Sequence, residues 1–139
     1  MSYFDHNSYR SLTKIIKKIK INDASDLIQR LRQVKDDSEI ELMQKSQNIT
    51  DSVFKEILRL IKPGVTEIFL ATRIKEMIRK KADIAFEPIV ASGKNSAIPH
   101  HKSSNRKIQK DEVILIDMGA KYRGYCSDMS RTVFLGEPE

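Results

Sequence analysis

Residues 115–132 read LIDMGAKYRGYCSDMSRT, and two aspartates within this stretch decide how the chain is folded. Asp117 follows Val113-Ile114-Leu115-Ile116, an apolar run that reads as a buried strand. Asp128 stands in a second strand-like stretch that leads into Val133-Phe134-Leu135. A carboxylate at the edge of a sheet core is costly unless something pairs with it. Arg123-Gly124 between the two runs has the form of a two-residue hairpin turn, because glycine permits the positive φ that such turns need. With these two residues as the turn, Tyr122 faces Tyr125, Gly119 faces Asp128 and Asp117 faces Ser130. Side chains alternate along a strand, so Asp117 and Asp128 point to the same side. They are then diagonal neighbours, with Cα atoms roughly 7–8 Å apart. Gly119 lies between them and has no side chain to obstruct the space.

Two like charges so placed repel, and one is driven toward protonation. A pair of divalent cations roughly 3.5–4 Å apart fits between two such carboxylates and can hold a hydroxide for attack on a carbonyl. The competing reading pairs one aspartate with Arg131 or Lys121 and leaves the other facing water. Cys126 has the parity of Asp128, so it either faces the same site or is a small packing residue.

Upstream, AFEPIVASG at 85–93 reads as a strand, with Pro88 at an edge or a bulge. Residues 93–112 are polar and mixed and read as a long loop; His100 and His101 lie within it. Thr66 can cap a helix that carries Leu70, Ile74, Met77 and Ile78 and ends near Lys81. Before it, Ser38 and Glu41 match a capping box. That helix carries Met43, Ile49, Val53, Phe54, Ile57, Leu58 and Ile61 on its apolar side and is stopped by Pro63-Gly64. Leu12, Ile15, Ile16 and Ile19 predict a helix over 8–20, and Asp26 to Val34 is a short amphipathic segment. No internal repeat and no glycine-rich phosphate loop occurs in the sequence.

The chain has 139 residues, 40% hydrophobic and 32% charged, which suits one folded domain rather than a disordered chain. No apolar run approaches the roughly 20 residues that span a bilayer. The start, MSYFDHNSYR, lacks the apolar core of a secretory signal. Cys126 is the single cysteine, which excludes an internal disulfide and suits a reducing compartment, so a cytoplasmic location is expected. The net charge of +6 is concentrated early: eight basic residues lie between Arg10 and Lys35, against Asp23 and Asp26. LTKIIKKIKI therefore reads either as a nucleic-acid or membrane-surface helix or as a solvated helix whose isoleucines pack inward. The lack of aromatic interleaving and of any nucleic-acid motif favours the second.

The quoted hairpin resembles the metal-binding hairpin of Xaa-Pro aminopeptidases and prolidases, dinuclear metallopeptidases of the pita-bread fold related to methionine aminopeptidases. The eleven-residue step from Asp117 to Asp128 is that family's spacing for its first two metal ligands. FEPIVASGKNSAIPHH at 86–101 resembles the strand and loop that end in the family's catalytic histidine. LRQVKDDSEIELMQKSQNITD at 31–51 and IKPGVTE at 61–67 resemble its first two helices. The match runs in order from about residue 28 to residue 137.

The resemblance implies an α+β chain with the pita-bread fold, first half only: N-terminal helices, then antiparallel strands with a metal-binding hairpin. Residues 28–139 correspond to the first half of the catalytic domain, and 1–27 to a remnant of an N-terminal domain and linker. It makes Asp117 and Asp128 metal ligands. His100, which follows Pro99, becomes the catalytic histidine that contacts substrate, with His101 its neighbour and His6 a surface residue. Arg131 matches an Arg-Thr pair of the family whose role the sequence does not assign, and Cys126 has no place in a ligand set that is carboxylate-rich with one histidine.

The family's remaining ligands, a histidine and two glutamates, come from its second half, and this sequence ends at Glu139 before any of them. The expectation is a fragment, from a truncated or split reading frame or a decayed gene, with little metal affinity and no activity by itself. It would be open to self-association or to complementation by the missing half. The complete enzyme would hold two divalent ions, Mn²⁺, Co²⁺ or Zn²⁺. It would cleave N-terminal Xaa-Pro bonds of peptides by metal-bound hydroxide, with His100 donating to the substrate or the developing negative charge. The alternatives are a non-catalytic pita-bread module that binds protein or nucleic acid, and metal-free creatine hydrolysis on the same scaffold. The presence of Asp117, Asp128 and His100 speaks against the first, and the two aspartates speak against the second.

Overall fold

The computed structural model describes residues 5–16 and 22–136. The chain divides into two compact units, Met1–Lys35 and Asp36–Glu139. In the first, α1 (His6–Ile15) is capped by Asp5, whose Oδ1 accepts from Ser8 N at 2.7 Å. The second helix, α2, spans Ser25–Gln33. Neither buries a residue, and Ile15 is 80% exposed, so the expectation of inward-packed isoleucines fails for α1. A unit below about 40 residues has too little chain to enclose an apolar stripe. Residues 17–20 of the expected helix lie outside the described residues.

The second unit opens with α3 (Asp37–Leu58). Its capping box is Asp36 with Glu39, not Ser38 with Glu41. Asp36 Oδ1 accepts from Glu39 N at 2.9 Å, and Glu39 Oε2 accepts from Asp36 N at 2.9 Å. A carboxylate cap adds a favourable charge at the helix N-terminus, which a serine hydroxyl lacks. Ser38 instead donates to the cap, Asp36 Oδ1, at 2.7 Å. The helix also ends earlier than expected, at Leu58, where Leu60 N closes a tight turn onto Ile57 O. Pro63 disfavours helical backbone at the residue before it, so the chain has to leave the helix ahead of the proline. The next helix, α4 (Glu67–Arg79), is capped by Thr66 as expected, with Thr66 Oγ1 accepting from Phe69 N.

Six short strands follow: β1 (Asp83–Ile84), β2 (Ile89–Ser92), β3 (Glu112–Met118), β4 (Ala120–Tyr122), β5 (Tyr125–Cys126) and β6 (Met129–Leu135). They form two antiparallel sheets, β2-β3-β6 and β1-β4-β5. Two expected strands are thus four, since both arms of the hairpin break and their tips join β1. Along β3 the even-numbered Ile114, Ile116 and Met118 are buried and the odd-numbered residues are not. The buried set packs with Val90 and Met129 against Val53 and Ile57 of α3 and Leu70, Ile74 and Ile78 of α4. Met43 and Leu58, expected on the apolar side of α3, are exposed. The expected loop of 93–112 contains a 3₁₀ turn at Gly93–Ala97 and is tied down along its length. Ile68 N and Glu67 N of α4 donate to Ser104 O and Arg106 O, and Ile108 N donates to Val65 O.

Candidate active site

The hairpin has the register expected from its turn. Tyr122 pairs with Tyr125 and Lys121 with Cys126 at the tip, and Asp117 pairs with Ser130 and Met118 with Met129 at the base. Arg123 and Gly124 both have positive φ, 48° and 93°. The two ladders share one register, so no residue is inserted at the break between them.

The break is where α3 enters. Ser46 Oγ donates to Ala120 O at 2.8 Å, and Ala120 N donates to Thr50 Oγ1 at 3.1 Å and to Ser127 Oγ at 3.0 Å. Thr50 and Ser127 share a hydroxyl hydrogen bond of 2.7 Å. Ser46, Thr50 and Ser127 are all buried, so these bonds are made away from competing water. A Cβ on Gly119 would overlap the Ser127 carbonyl oxygen and come within 2.9 Å of Phe86 Cε1. The space beside Gly119 is therefore occupied by the chain itself. This corrects the expectation that it stands open between the two aspartates.

Asp117 is half-buried and Asp128 exposed. Asp117 Oδ1 accepts from Ser130 Oγ at 2.8 Å, its partner across the strand pair. Among the described residues neither aspartate forms a salt bridge, with Arg131, Lys121 or any other cation. Arg131 Nη1 instead donates to Ser130 O. Asp128 lies in a shallow groove against α3 with Met43, Gln47 and the exposed Cys126.

The two neighbouring histidines have different surroundings. His100 is exposed, takes a positive φ of 54°, and lines a cavity of about 400 Å³ with Ile68, Ala71, Pro88 and Ile89. Ile89 is the strand partner of Asp117, so the cavity reaches the residue beside the first aspartate. His101 lines the same cavity but is spoken for: its Nε2 lies 2.9 Å from Glu67 Oε2. A carboxylate can only accept, so the Nε2 proton belongs to this bond. Neither of the two hollows holds two of the three expected site residues.

Glu67 is the residue that sequence reading missed. It is fully buried at the first position of α4. Its Oε1 accepts from Ser92 N, Ser92 Oγ and Asn95 Nδ2, and its Oε2 from His101 Nε2, Ser104 N and Ser104 Oγ, all at 2.8–3.0 Å. Burial by itself pushes this carboxyl up. Hydrogen bonds from His101, Asn95, Ser104 and the Ser92 backbone outweigh burial and bring its pKa down to about 2 from an ordinary 4.5. A signal was present: no acidic residue occurs from Pro88 to Lys110, a stretch rich in serine, asparagine, histidine and basic side chains. So many donors need an acceptor from elsewhere in the chain. Arg106 serves the same loop through a two-pronged pair with Glu112, 2.8 and 2.7 Å, and donates to Ser92 Oγ at 2.6 Å. Arg106 holds the Glu112 carboxyl below the usual carboxylate range against the opposing effect of burial.

The helices, the antiparallel sheets and the aspartate hairpin define the class as the N-terminal part of a pita-bread aminopeptidase or prolidase. The chain belongs to metallopeptidase family M24, which it matches over residues 41–139. It is 33% identical over 135 residues to the Bacillus subtilis peptidase YqhT, covering 96% of this chain and 38% of that one. The prolidase from Pyrococcus horikoshii superposes with a TM-score of 0.91 at 30% identity, over 99% of this chain and 40% of the other. The Xaa-Pro dipeptidase from Bacillus anthracis gives 0.89 at 37% identity, over 97% and 38%. The chain thus spans 38–40% of the length of these three relatives.

Membership of a metallopeptidase family implies divalent metal ions. Asp117 and Asp128 are hard oxygen donors, without a salt-bridge partner among the described residues, and suit such ions in kind. They do not suffice in number: among the described residues no group of three or more His, Cys, Asp or Glu side chains is placed to hold one. No helix among these residues is long and apolar enough to cross a membrane.

Proposed function

We propose that this chain supplies the first two metal ligands, Asp117 and Asp128, and the substrate-contacting His100 of a peptidase that cleaves N-terminal Xaa-Pro bonds. The observation that carries the reading is the aspartate hairpin, in unbroken register and, among the described residues, without a basic partner for either carboxylate, in a chain of family M24. Divalent ions held there would polarise the scissile carbonyl and activate water. Asp117 keeps Oδ2 for a cation while Ser130 fixes Oδ1. His100, exposed on the cavity, is the histidine with a ring left to donate to substrate, because His101 is committed to Glu67. Manganese, cobalt or zinc would suit the carboxylates, and a reducing cytoplasm would suit the single free thiol. Residues 1–27 fit the end of a preceding domain and its linker.

Two carboxylates leave most coordination positions to water. The 139-residue chain is therefore expected to bind these metals weakly and to show no turnover of Xaa-Pro dipeptides or tripeptides. Turnover that Asp117→Ala abolishes would defeat the view that the site is incomplete here. In a protein extended to the relatives' full length, His100→Ala should lower kcat by roughly 10²-fold, the scale lost with one oxyanion-type donor. Metal content should hardly change. Greater damage from His101→Ala than from His100→Ala, with folding intact, would reverse the assignment.

A further inference from the structure

We propose that Glu67 and His101 are a positioning pair that sets the backbone of His100 and so aims its ring into the cavity. The catalytic task of His100 rests on the peptidase reading above; the grip on it does not.

One carboxylate holds the loop on both sides of His100. Oε1 takes Ser92 and Asn95, before the histidine, and Oε2 takes His101 and Ser104, after it. The segment 92–104 is thereby closed into a ring on a single side chain that is rooted in a helix. Glu67 has no freedom to yield, since it is fully buried and its own N–H is bound to Arg106 O. The nearest grip to His100 is its immediate neighbour.

The backbone at His100 shows why a grip is needed. Its φ is 54°, in the left-handed region that non-glycine residues seldom occupy and that persists only where the surroundings enforce it. His100 itself is exposed on the cavity wall rather than packed into the core. The peptide after His100 is held in two ways: His101 N donates to Ile98 O at 3.3 Å, a long backbone bond that closes the turn over Pro99 and His100, and the His101 side chain is anchored through Nε2 to Glu67. Pro99 restrains the other side by its fixed φ and by favouring extended backbone at Ile98. With the side-chain anchor removed, the turn rests on the long His101 N to Ile98 O bond alone, and His100 relaxes to negative φ so that its ring leaves the cavity wall.

The test is nuclear magnetic resonance on the chain labelled with ¹³C,¹⁵N-histidine. Only His6, His100 and His101 then give signals, so the spectra are readable in a dimer. Wild type should show a single His100 conformer with the Cα and Cβ shifts of a left-handed residue. His101→Ala and Glu67→Gln should lose that signature, and His101→Gln should restore it, because a glutamine amide can donate from near the position of Nε2. Should Glu67→Gln fail to fold, the His101→Ala and His101→Gln pair decides alone. The proposal is overturned if His101→Ala lowers the unfolding temperature while the His100 signature persists, for the pair would then only stabilise. It is overturned equally if His101→Gln behaves like His101→Ala. An intact signature in wild type, with no effect of His100→Ala on peptide cleavage by the protein extended to the relatives' full length, would refute the peptidase reading and leave the positioning pair standing.

Discussion

Glu67 shows how one side chain can hold a loop that has almost no apolar content. A buried carboxylate without partners is expensive, yet six donors converge on this one, and its pKa falls to about 2. The sign of the linkage follows from that depression. The folded-state pKa lies below the ordinary 4.5, so the contribution to stability is complete above pH 4.5 and is lost as pH falls toward 2. Its size is on the order of 3 kcal/mol at neutral pH. Urea unfolding between pH 7 and pH 2.5 should show wild type weakening below 4.5 and Glu67→Gln much less dependent on pH over that window. Glu112 is also held low and adds to the acid slope in both proteins, so the difference between them isolates Glu67. Parallel slopes would mean that the carboxylate is not the titrating centre of the loop.

At the scale of elements, the hairpin and α3 are fitted to each other. Glu39 caps α3 through Oε2 and accepts from Tyr125 OH on Oε1 at 2.8 Å, so the helix start also holds the hairpin tip. Glu39→Ala should cost about 1–2 kcal/mol, a cap plus one hydrogen bond; a Tyr125→Phe, Glu39→Ala double-mutant cycle would separate the two. Gly119→Ala should cost about 1–3 kcal/mol as an overpacking change, because the added methyl meets a backbone carbonyl that cannot swing away. Full stability in that variant would mean that the backbone at the break between the two ladders relaxes freely.

The same elements show what could be read from sequence. The turn at Arg123-Gly124 and the period of two fix the register, so the pairing of Asp117 with Ser130 was legible. The break in its arms was not, because it comes from Ser46 and Thr50, 74 and 70 residues away in sequence from Ala120. On α3 these hydroxyls break the apolar pattern and read as surface positions, yet both are buried. The capping box slipped by two residues because Asp36, Asp37 and Ser38 are all competent caps and only the structure chooses among them. Strand β1, two residues long, has no periodicity to detect. His100 could be named from the sequence but its loop could not be anchored, since Glu67 looks like an ordinary acid in a first helical turn.

For the whole molecule the uneven cover of the β2-β3-β6 sheet decides behaviour in solution. Its buried face packs on α3 and α4. On the other face Val113 is 36% exposed, Phe134 is 39% exposed, and Leu115, next to Val113 along that face of β3, is half-exposed. Val113 and Phe134 are strand partners, so their exposure is one continuous apolar strip rather than scattered residues. The strand β6 is an outer strand of this sheet, seven residues long, with free backbone groups along one side. An uncharged apolar strip beside an open edge is a template for pairing with another copy. The 139-residue chain by itself is expected to self-associate through this face, as a dimer at low concentration and larger species above it. Sedimentation over a wide concentration range reads this directly. Phe134→Lys should shift the distribution toward monomer with little loss of secondary structure, since the side chain is partly in solvent already. Ile116→Lys, on the buried face, should instead unfold the chain. A monodisperse wild-type monomer with one cooperative thermal transition would show that the strip tolerates water and that these residues enclose a sufficient core unaided.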